Sequence, residues 1–491
     1  MNIELQVLGS ALRAVAEEMG AVLVRSAFSA NIKERRDCST ALFDEGGRMI
    51  AQAEHIPVHL GAMPEAVAAV RARGAGPGDV FVVNDPYTGG THLPDVTLVS
   101  GTGVGFAVSR AHYADVGGSE PASLPAGSTD LYQEGLVLPP VRLTDEVVTI
   151  LLANMRNPEE RRGDLRAQLA GHRLAERRLA SLCDRRGLDR VRAAMDELFA
   201  YSERRVRAAI AALPDGRFEA ADVLEAPEGE LVVRAAVTVA GEEIEIDFEG
   251  TDPQHPGNLN CPLAVTRSAS YFVVRCLTDP DVPASGGAFA PVTVRAPEGS
   301  LVNARRPAAV VAGNVETSNR IADVLFRAFG QAVPVPAQGQ GTMNNLTFGN
   351  ARFTYYETIA GGQGACPDRD GPSAVHVTMS NTLNTPVEAL ELAYPLRVER
   401  YALRLGSGGS GRFWGGDGVV REITALEPCR VSIVSERRAR GPAGARGGEP
   451  GQPGRNLLNG EPVPAKTTGP LEAGESVTIE TPGGGGFGAP S

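Results

Sequence analysis

The stretch VFVVNDPYTGGTHLPDV, residues 80–96, begins as an apolar run and ends in a segment rich in glycine, proline and aspartate. The apolar run predicts a buried strand, and the glycines and prolines predict that the chain turns directly after it. The turn carries His92 and Asp95. On a straight strand, side chains three residues apart face opposite sides, but within a turn both can point to one side. The stretch therefore predicts a strand end that brings an imidazole and a carboxylate together.

The same spacing occurs again in SRAHYADVGG, where His112 is followed by Asp115 after a second apolar strand. Strand ends beside glycine turns are frequent positions for functional side chains. Two neutral imidazoles with one or two carboxylates suit Zn²⁺, Mn²⁺ or Fe²⁺, and such a site can hold a water and lower its pKa toward neutrality. The alternative is structural, with aspartates that cap turns and histidines that form hydrogen bonds. The sequence pattern leaves both interpretations open.

Further polar groups lie upstream of this stretch. AEHIPVHLGAMP contains His55 and His59, and Pro57 between them excludes a regular helix. In an extended segment, residues four apart share a face. Asp37 follows four charged residues in KERRDCS, just before a predicted hairpin. The structural alternatives are a histidine bonded to a backbone carbonyl and an aspartate that caps a strand.

Composition excludes several classes of partner. The chain has 491 residues, 42% of them hydrophobic and 22% charged, and a formal net charge of −12. An acidic chain is a poor match for nucleic acid or an anionic membrane surface, which attract clustered basic residues. The lysines are Lys33 and Lys466, and neither completes a G-x-x-x-x-G-K-[ST] loop for nucleotide phosphates. If ATP is used, we expect another chain to bind it.

Cysteine usage and the absence of targeting patterns predict a cytoplasmic protein. The six cysteines are scattered singly and form no C-x-x-C pair, which is typical of a reducing compartment. The first twenty residues carry acidic side chains with helical periodicity and do not resemble a signal peptide. No apolar stretch reaches the roughly 18 residues that a membrane span requires.

The order of patterns indicates an α+β protein with two regions, residues 1–213 and 214–491. The first is mixed, contains the candidate metal site and ends in two long helices at 158–213, broken near Gly187. His172 on these helices is expected to be solvated or to pack against a helix, not to bind a metal. The second region is β-rich, with glycine-rich loops and a glycine-rich tail.

Periodicity predicts individual elements within both regions. Helices are expected at residues 3–30, 63–73 and 317–330, and hairpins at 39–52 and 230–250.

Two glycine-rich segments, 406–411 and 483–488, match G-x-G-x-x-G by letter. A dinucleotide loop must follow a strand and open a helix. The first segment runs into RFWGGDG and the second leads to the end of the chain, so we exclude both. The tail TPGGGGFGAPS is expected to be a mobile end or to line a neighbouring subunit.

Taken together, several stretches resemble the B subunit of the ATP-dependent hydantoinase and 5-oxoprolinase family, which also includes the large subunits of acetone and acetophenone carboxylases. The first half carries ERRDCSTALFD, AQAEHIPVHLGAMPEAV, NDPYTGGTHLPDV and AHYADVGG. The second half carries NLNCP, AGNVETSNRIADVL, ETIAGGQGACPDRDG, NTPVEALELAYPLRVERY, GGSGRFWGGDGVVREI and TPGGGGFG. The likeness covers nearly the whole chain.

The resemblance implies a division of labour within a hetero-oligomer. A partner A subunit with an actin-like ATPase fold, holding ATP and Mg²⁺, would phosphorylate the oxygen of a cyclic amide. Water at a metal centre in the B subunit would then open the ring of a hydantoin, 5-oxoproline or a related lactam. The family's metal ligands map onto His92, Asp95 and His112, with Asp37 as a further ligand. Asp115 is a candidate to orient His112 or to accept a proton from the water.

Three other functions remain open at this point. The chain could be a subunit of an ATP-dependent ketone carboxylase, although it is shorter than those large subunits and has no segment that resembles their small-subunit docking parts. It could be a non-catalytic partner that stabilises the ATPase. It could also be a self-sufficient metallohydrolase that needs neither ATP nor a partner.

Overall fold

A six-stranded antiparallel sheet organises the first part of the chain in the computed structural model, which describes residues 3–53 and 56–490. The strands pair in the order β2-β1-β5-β4-β3-β6, where the numbers follow the chain. Their bounds are Cys38–Asp44 (β1), Met49–Ala53 (β2), Val80–Val83 (β3), Asp95–Thr102 (β4), Gly105–His112 (β5) and Val141–Arg142 (β6). The predicted hairpin at 39–52 is confirmed as β1 and β2.

Helices cover this sheet on both faces. Leu42 packs in the cluster beneath the long helices, whereas the next residue, Phe43, packs in the cluster that contains Met63 of α3. Successive residues of a strand point to opposite faces. Because both faces of the sheet are covered, every residue of β4 and β5 is buried. The helices are Ile3–Ser26 (α1), Ala30–Lys33 (α2), Met63–Arg71 (α3), Asp145–Ala153 (α4), Pro158–Arg186 (α5) and Leu188–Ile210 (α6).

The predicted pair of long helices is present as α5 and α6. They are separated by Gly187, whose φ of 85° lies in the region that favours glycine. His172 on α5 is buried, and its two ring nitrogens lie 2.7 Å from Ser100 Oγ and 2.8 Å from Ser109 Oγ. It therefore joins the helix to the sheet, which is the packing alternative of the prediction and not the solvated one.

A second sheet of four strands follows residue 213. The order is β10-β9-β8-β7, and β10 runs parallel to β9 while the other pairs are antiparallel. The strands are Gly216–Ala226 (β7), Gly229–Ala240 (β8), Glu243–Asp247 (β9) and Val292–Arg295 (β10). Helices Leu263–Leu277 (α7) and Ser318–Phe329 (α8) pack against each other beside it.

Helix α7 was not predicted, because its β-branched and aromatic residues resemble a strand. Small residues four positions apart, Ala264 and Ser268, let a neighbouring backbone approach. The hydroxyl of Ser268 donates to the Ala264 carbonyl and accepts a hydrogen bond of 2.8 Å from the Gly61 amide. Tertiary packing thus overrides the local preference.

Two further sheets pack around one hydrophobic cluster in the last third of the chain. Their orders are β12-β11-β15-β18 and β13-β14-β19-β16-β17. The elements are Asn345–Gly349 (β11), Thr354–Glu357 (β12), Val387–Ala393 (α9), Leu396–Arg404 (β13), Gly418–Ala425 (β14), Cys429–Val434 (β15), Arg455–Leu458 (β16), Glu461–Val463 (β17), Lys466–Leu471 (β18) and Ser476–Glu480 (β19). The α+β assignment is confirmed.

The prediction of a mobile tail is wrong for the described residues up to 490. The amide of Gly484 donates to the Gly416 carbonyl at 2.9 Å, and its carbonyl accepts from Gly409 at 2.8 Å. A Cβ on Gly484 would lie 2.0 Å from the carbonyl oxygen of Gln363. The glycines are therefore required because the tail runs buried between three other backbone segments.

The largest hydrophobic cluster contains residues from both sides of residue 213, for example Val67 and Ile321. Among the residues of 3–53 and 56–490, no helix has the length and apolar character needed to cross a bilayer.

Candidate metal centre

Three neighbouring strands deliver polar side chains to one edge of the six-stranded sheet. Asp95 is the first residue of β4, His112 is the last of β5, and the two are direct cross-strand partners. Asp37 immediately precedes β1, on the other side of β5, and its carbonyl accepts a hydrogen bond of 3.0 Å from the His112 amide. The pairing of β1, β5 and β4 therefore explains why these residues meet.

The turn before β4 is held by its own polar residues. Asn84 donates to the Leu93 carbonyl at 2.8 Å, and Asp85 caps a short helical turn by accepting from the Tyr87 amide at 3.1 Å. The amide of Asp95 donates to the His92 carbonyl at 3.1 Å. This last bond folds the segment so that both side chains face the same side, as the sequence predicted.

Three side-chain atoms form a nearly equilateral triangle. Nε2 of His92 and Nδ1 of His112 lie 3.2 Å apart. Oδ1 of Asp95 lies 3.2 Å from the first nitrogen and 3.1 Å from the second. The three side chains are the one group of histidine, cysteine and acidic residues in the described chain whose ligand atoms all lie within 4.8 Å of one another.

This triangle fits a divalent transition metal. Ligand atoms that share one ion at about 2.1 Å lie about 3.0–3.4 Å from each other in octahedral or tetrahedral coordination. Three mutual hydrogen bonds are a poor alternative, because an N–H cannot point at two atoms separated by an angle of about 60°. The donor set and the spacing therefore fit a metal ion bound by His92, Asp95 and His112.

The second oxygen of Asp95 is held by donors from the protein. Oδ2 accepts a hydrogen bond from the hydroxyl of Thr91 and lies 3.4 Å from Nε2 of His59. Nδ1 of His59 lies 3.0 Å from the hydroxyl of Ser39 in β1. His59 thus orients the carboxylate, a role that the sequence analysis did not assign. His55, the other histidine of that motif, lies outside the described residues.

Burial and charge together set the protonation of the triangle. Burial lowers the pKa of His92, but the charge and hydrogen bond of Asp95, together with the charge of Asp37, outweigh burial, and the pKa is raised overall. Burial also opposes ionisation of Asp95, yet the charge of His92 and the hydrogen bonds from the histidines hold the pKa of that carboxyl well below its usual range. Burial lowers the pKa of the nearby Arg110 to about 10. The carboxylate is therefore ionised among nitrogen donors.

The triangle borders a cavity of about 20 Å³ that we call the inner pocket. A cavity of this size holds about one water. Asp37 borders the inner pocket, and its charge contributes to the raised pKa of His92. Among the described residues it lies outside the group whose ligand atoms are within 4.8 Å. The structure thus brings three predicted ligands together and sets the fourth beside them.

Asp115 has a different environment from the one predicted. Oδ1 accepts from the amides of Gly117 and Arg156, both at 2.9 Å. Oδ2 accepts from the Ala122 amide at 3.1 Å and from the Arg156 guanidinium at 2.9 Å. None of its hydrogen bonds in the described part of the chain goes to His112. A carboxylate with four donors organises the loop after β5, and it has no oxygen left to orient an imidazole.

Glu134 is a buried acid near the triangle that sequence reasoning missed. It accepts from the amides of Val310 and Val311 at 3.0–3.1 Å and from the Ser128 hydroxyl at 2.8 Å. Burial raises its pKa to about 7, against these hydrogen bonds. The backbone of Val311 in turn contributes to the raised pKa of His92. Glu134 therefore fixes the segment that supports His92, and no local motif could have indicated that contact.

A much larger cavity of about 740 Å³, which we call the outer cavity, lies next to the inner pocket. Ser380 borders both cavities, and Pro57 of the outer cavity is adjacent in sequence to Val58 of the inner pocket. The outer cavity has apolar walls from Phe272 and Phe326 and polar groups such as Gln338 and His376. Its volume is that of a small-molecule site.

Comparison with known proteins identifies the family of the chain. The sequence matches the model of the family described as Hydantoinase B/oxoprolinase over residues 1–490. The chain belongs to the Hydantoinase B/oxoprolinase family. Its relatives include 5-oxoprolinase 1 of Arabidopsis thaliana, which is 38% identical over 99% of this chain. The match spans 42% of that plant protein, so the chain is much shorter than that relative.

Other similar proteins match over most of their length. The B-type subunit of a putative D-/L-hydantoinase of Pseudomonas sp. (strain NS671) is 32% identical over 99% of this chain and 90% of its own. The crystal structure of an ATP-dependent caprolactamase from Pseudomonas jessenii superposes with a TM-score of 0.93 at 31% identity, covering 99% of this chain and 91% of that one. A nucleotide-free acetone carboxylase superposes with a TM-score of 0.90, covering 99% of this chain and 75% of that one, but at 17% identity it shows the shared fold alone.

Proposed function

We propose that this chain is the B subunit of an ATP-dependent cyclic-amide hydrolase, which opens a hydantoin, 5-oxoproline or related lactam ring after a partner subunit has phosphorylated the amide oxygen. The observation that carries the proposal is the triangle of His92, Asp95 and His112 beside a cavity large enough for such a ring. The names of the relatives, a 5-oxoprolinase, a hydantoinase subunit and a caprolactamase, support a cyclic amide as substrate.

The chain's own residues would hold the ion and keep bulk water away. His92, Asp95 and His112 supply the donors, and Thr91 and His59 keep Asp95 turned toward the histidines. The three donor residues are 1–3% exposed, so their electrostatic effects act in a medium of low dielectric constant. When bound, a divalent Zn, Mn or Fe ion supplies Lewis acidity and lowers the pKa of a water toward neutrality.

Binding of ATP and Mg²⁺ belongs to an A-type partner in this proposal. The chain has only two lysines and no Walker A loop. The 5-oxoprolinase relative is more than twice as long as the matched region, which leaves room for a second activity in that protein. The hydantoinase relative is named as one subunit of an enzyme, which likewise fits a heteromeric complex.

The test is reconstitution with an A-type ATPase subunit. Hydantoin, 5-oxoproline and a lactam are offered separately, and ring-opened product and phosphate release are measured together. We expect product only when ATP and both subunits are present, and we expect Asp95→Asn in this chain to abolish product while ATP use by the partner persists. Product without ATP would indicate a self-sufficient hydrolase. Full ring opening by Asp95→Asn would indicate a non-catalytic partner, and bicarbonate-dependent product would indicate a carboxylase.

A further inference from the structure

A chain of hydrogen bonds joins the inner pocket to the outer cavity. The hydroxyls of Thr358 and Thr382 border the inner pocket and lie 2.6 Å apart. Nε2 of His376 lies 3.4 Å from Thr382 Oγ1, and Nδ1 lies 2.7 Å from Ser380 Oγ. His376 borders the outer cavity, and Ser380 borders both spaces. The chain therefore begins where the attacking water would be and ends where the two spaces meet.

Arg35 fixes the inner end of this chain. Its guanidinium is fully buried and donates to the hydroxyls of Thr358 and Thr382 and, at 2.7 Å, to the Tyr356 carbonyl. An arginine has no acceptor, so each threonine oxygen must accept from it. Each hydroxyl proton therefore remains available to a neighbour in the chain or to a ligand.

Counting protons gives the chain two arrangements. A neutral His376 donates through one nitrogen and accepts through the other. If Nε2 accepts from Thr382, Nδ1 donates to Ser380, and the proton of Ser380 is left for a ligand. If Nε2 donates to Thr382, Ser380 donates to Nδ1, and the spare proton lies on one of the two threonines. The four groups thus carry four protons, and the three hydrogen bonds between them use three. The fourth proton is available to a ligand at one end of the hydrogen-bond chain or at the other.

We propose that Thr358, Thr382, His376 and Ser380 are a proton relay that carries a proton from the attacking water to the ring nitrogen of the cyclic amide. This proposal rests on the proposed function. The water forms the new C–O bond and loses one proton to the threonine end. The C–N bond breaks, its electron pair stays on nitrogen, and nitrogen takes one proton from Ser380. The phosphoryl group stays on the original amide oxygen, so this step yields an acyl phosphate, which a second water hydrolyses to the free acid and phosphate. Each proton in the chain moves by one link, so no acid or base is consumed.

The surroundings of His376 favour this role. Burial and the charge of Arg35 lower its pKa to about 3, so the imidazole is neutral and changes tautomer instead of charge. The loop that carries it is anchored, because the hydroxyl of Thr378 and the amide of Met379 both donate to the side chain of Asn319. The relay is therefore held in place between the two spaces.

The protein contains a second histidine, His172, that serves as a matched control for an experimental test of the relay. His172 is buried, lies between the hydroxyls of Ser100 and Ser109, and has its pKa lowered to about 4 by burial. It borders neither the inner pocket nor the outer cavity. In the complete complex, we expect His376→Asn to lower kcat for ring opening by about 10²-fold or more, with metal content and KM near wild type. His172→Asn is expected to keep the wild-type kcat.

Rescue separates a relay from a structural role. The outer cavity has room for a free imidazole, so we expect added imidazole to restore part of the kcat of His376→Gly and to leave that of His172→Gly unchanged. If the histidine variants fail to fold, Ser380→Ala removes a single hydroxyl and is expected to show the same loss of kcat. An inactive wild-type complex would overturn the proposed function. An active complex with undiminished kcat in both His376→Asn and Ser380→Ala would overturn the relay alone.

Discussion

Asp95 and His112 face each other across the paired ends of β4 and β5, with Oδ1 and Nδ1 only 3.1 Å apart. This pairing ties the site to the register of the sheet. A shift of one residue in either strand would turn one of the two side chains to the opposite face. The candidate metal centre is therefore a consequence of strand pairing and is as rigid as the sheet itself.

Removing a donor from the triangle is expected to remove the metal. We predict about one transition-metal ion per wild-type chain and little in Asp95→Ala or His112→Ala, measured by elemental analysis of folded protein. Such buried donors have no substitute among the described residues, since the three form the only group of this kind. His172→Ala is the control and should retain the ion. Equal metal in all four proteins would mean that the triangle is structural.

Replacing His59 tests whether it orients Asp95. His59→Gln removes the imidazole that lies 3.4 Å from Oδ2. Loss of a group that positions a ligand typically costs 10–100-fold in metal affinity, and we predict that range in a competition assay with a chelator. Ser39→Ala, one step further from the carboxylate, should cost less. An affinity unchanged in His59→Gln would contradict the assignment.

Asp115 is expected to affect stability, not chemistry. Asp115→Asn removes the charge that pairs with Arg156 at 2.9 Å and weakens four hydrogen bonds. A loss of roughly 2–3 kcal/mol in the free energy of unfolding is typical for such a change. Chemical denaturation should show this loss, while kcat and metal content per folded chain stay near wild type. A large fall in kcat without loss of stability would restore Asp115 as a proton acceptor.

Glu316 should give the protein a pH-dependent stability. Burial and the charge of Glu436 raise the pKa of Glu316 in the folded protein to about 8. In the unfolded chain a glutamate has a pKa of about 4.3. Between these values the folded state binds more protons, so stability falls as pH rises, by at most about 1.4 kcal/mol per unit. Glu316→Gln cannot ionise, and its stability relative to wild type should increase from pH 5 to pH 8 in urea titrations. The exposed Glu242→Gln should show no such trend.

The buried tail should not tolerate side chains. A Cβ at Gly484 would collide with the backbone of Gln363, and relief of such overpacking typically costs 1–3 kcal/mol or more. Gly484→Ala is therefore predicted to lower the midpoint of urea unfolding clearly. Gly469→Ala has no atom within 4 Å of its new methyl group and should leave the midpoint nearly unchanged. Similar midpoints for the two variants would show that the tail is loose.

The sequence predicts the elements and residues that depend on local pattern. The apolar run before His92 and the glycine turn after His112 indicate strand ends, and the structure contains both. Asp115 shares the spacing of Asp95 but not its surroundings, because Arg156 reaches it from 41 positions away. Spacing alone cannot distinguish the two aspartates.

Contacts between distant segments could not be predicted from one sequence. His59 and Glu134 act on the triangle only after the chain has folded. The glycines at 483–488 look like a flexible tail by composition, and only the carbonyls packed around them explain why no other residue fits. Helix α7 could not be predicted for the same reason, since it packs against the backbone at Gly61, about 200 positions earlier in the sequence.

The inner pocket is assembled from two parts of the chain that are far apart in sequence. One side of the pocket is formed by residues between 37 and 112, and the other side by residues between 314 and 382. The hydrogen bond from Arg35 to the Tyr356 carbonyl, which helps to hold the two sides together, joins residues 321 positions apart. Contacts over such separations carry a high loop-closure cost and form slowly. We therefore expect that a metal ion bound by the triangle would be captured while the inner pocket is still open on the side of Tyr356. Exchange of that ion in the folded protein would then depend on how often the two sides of the pocket separate. The metal that is present during synthesis would decide which metal the site holds.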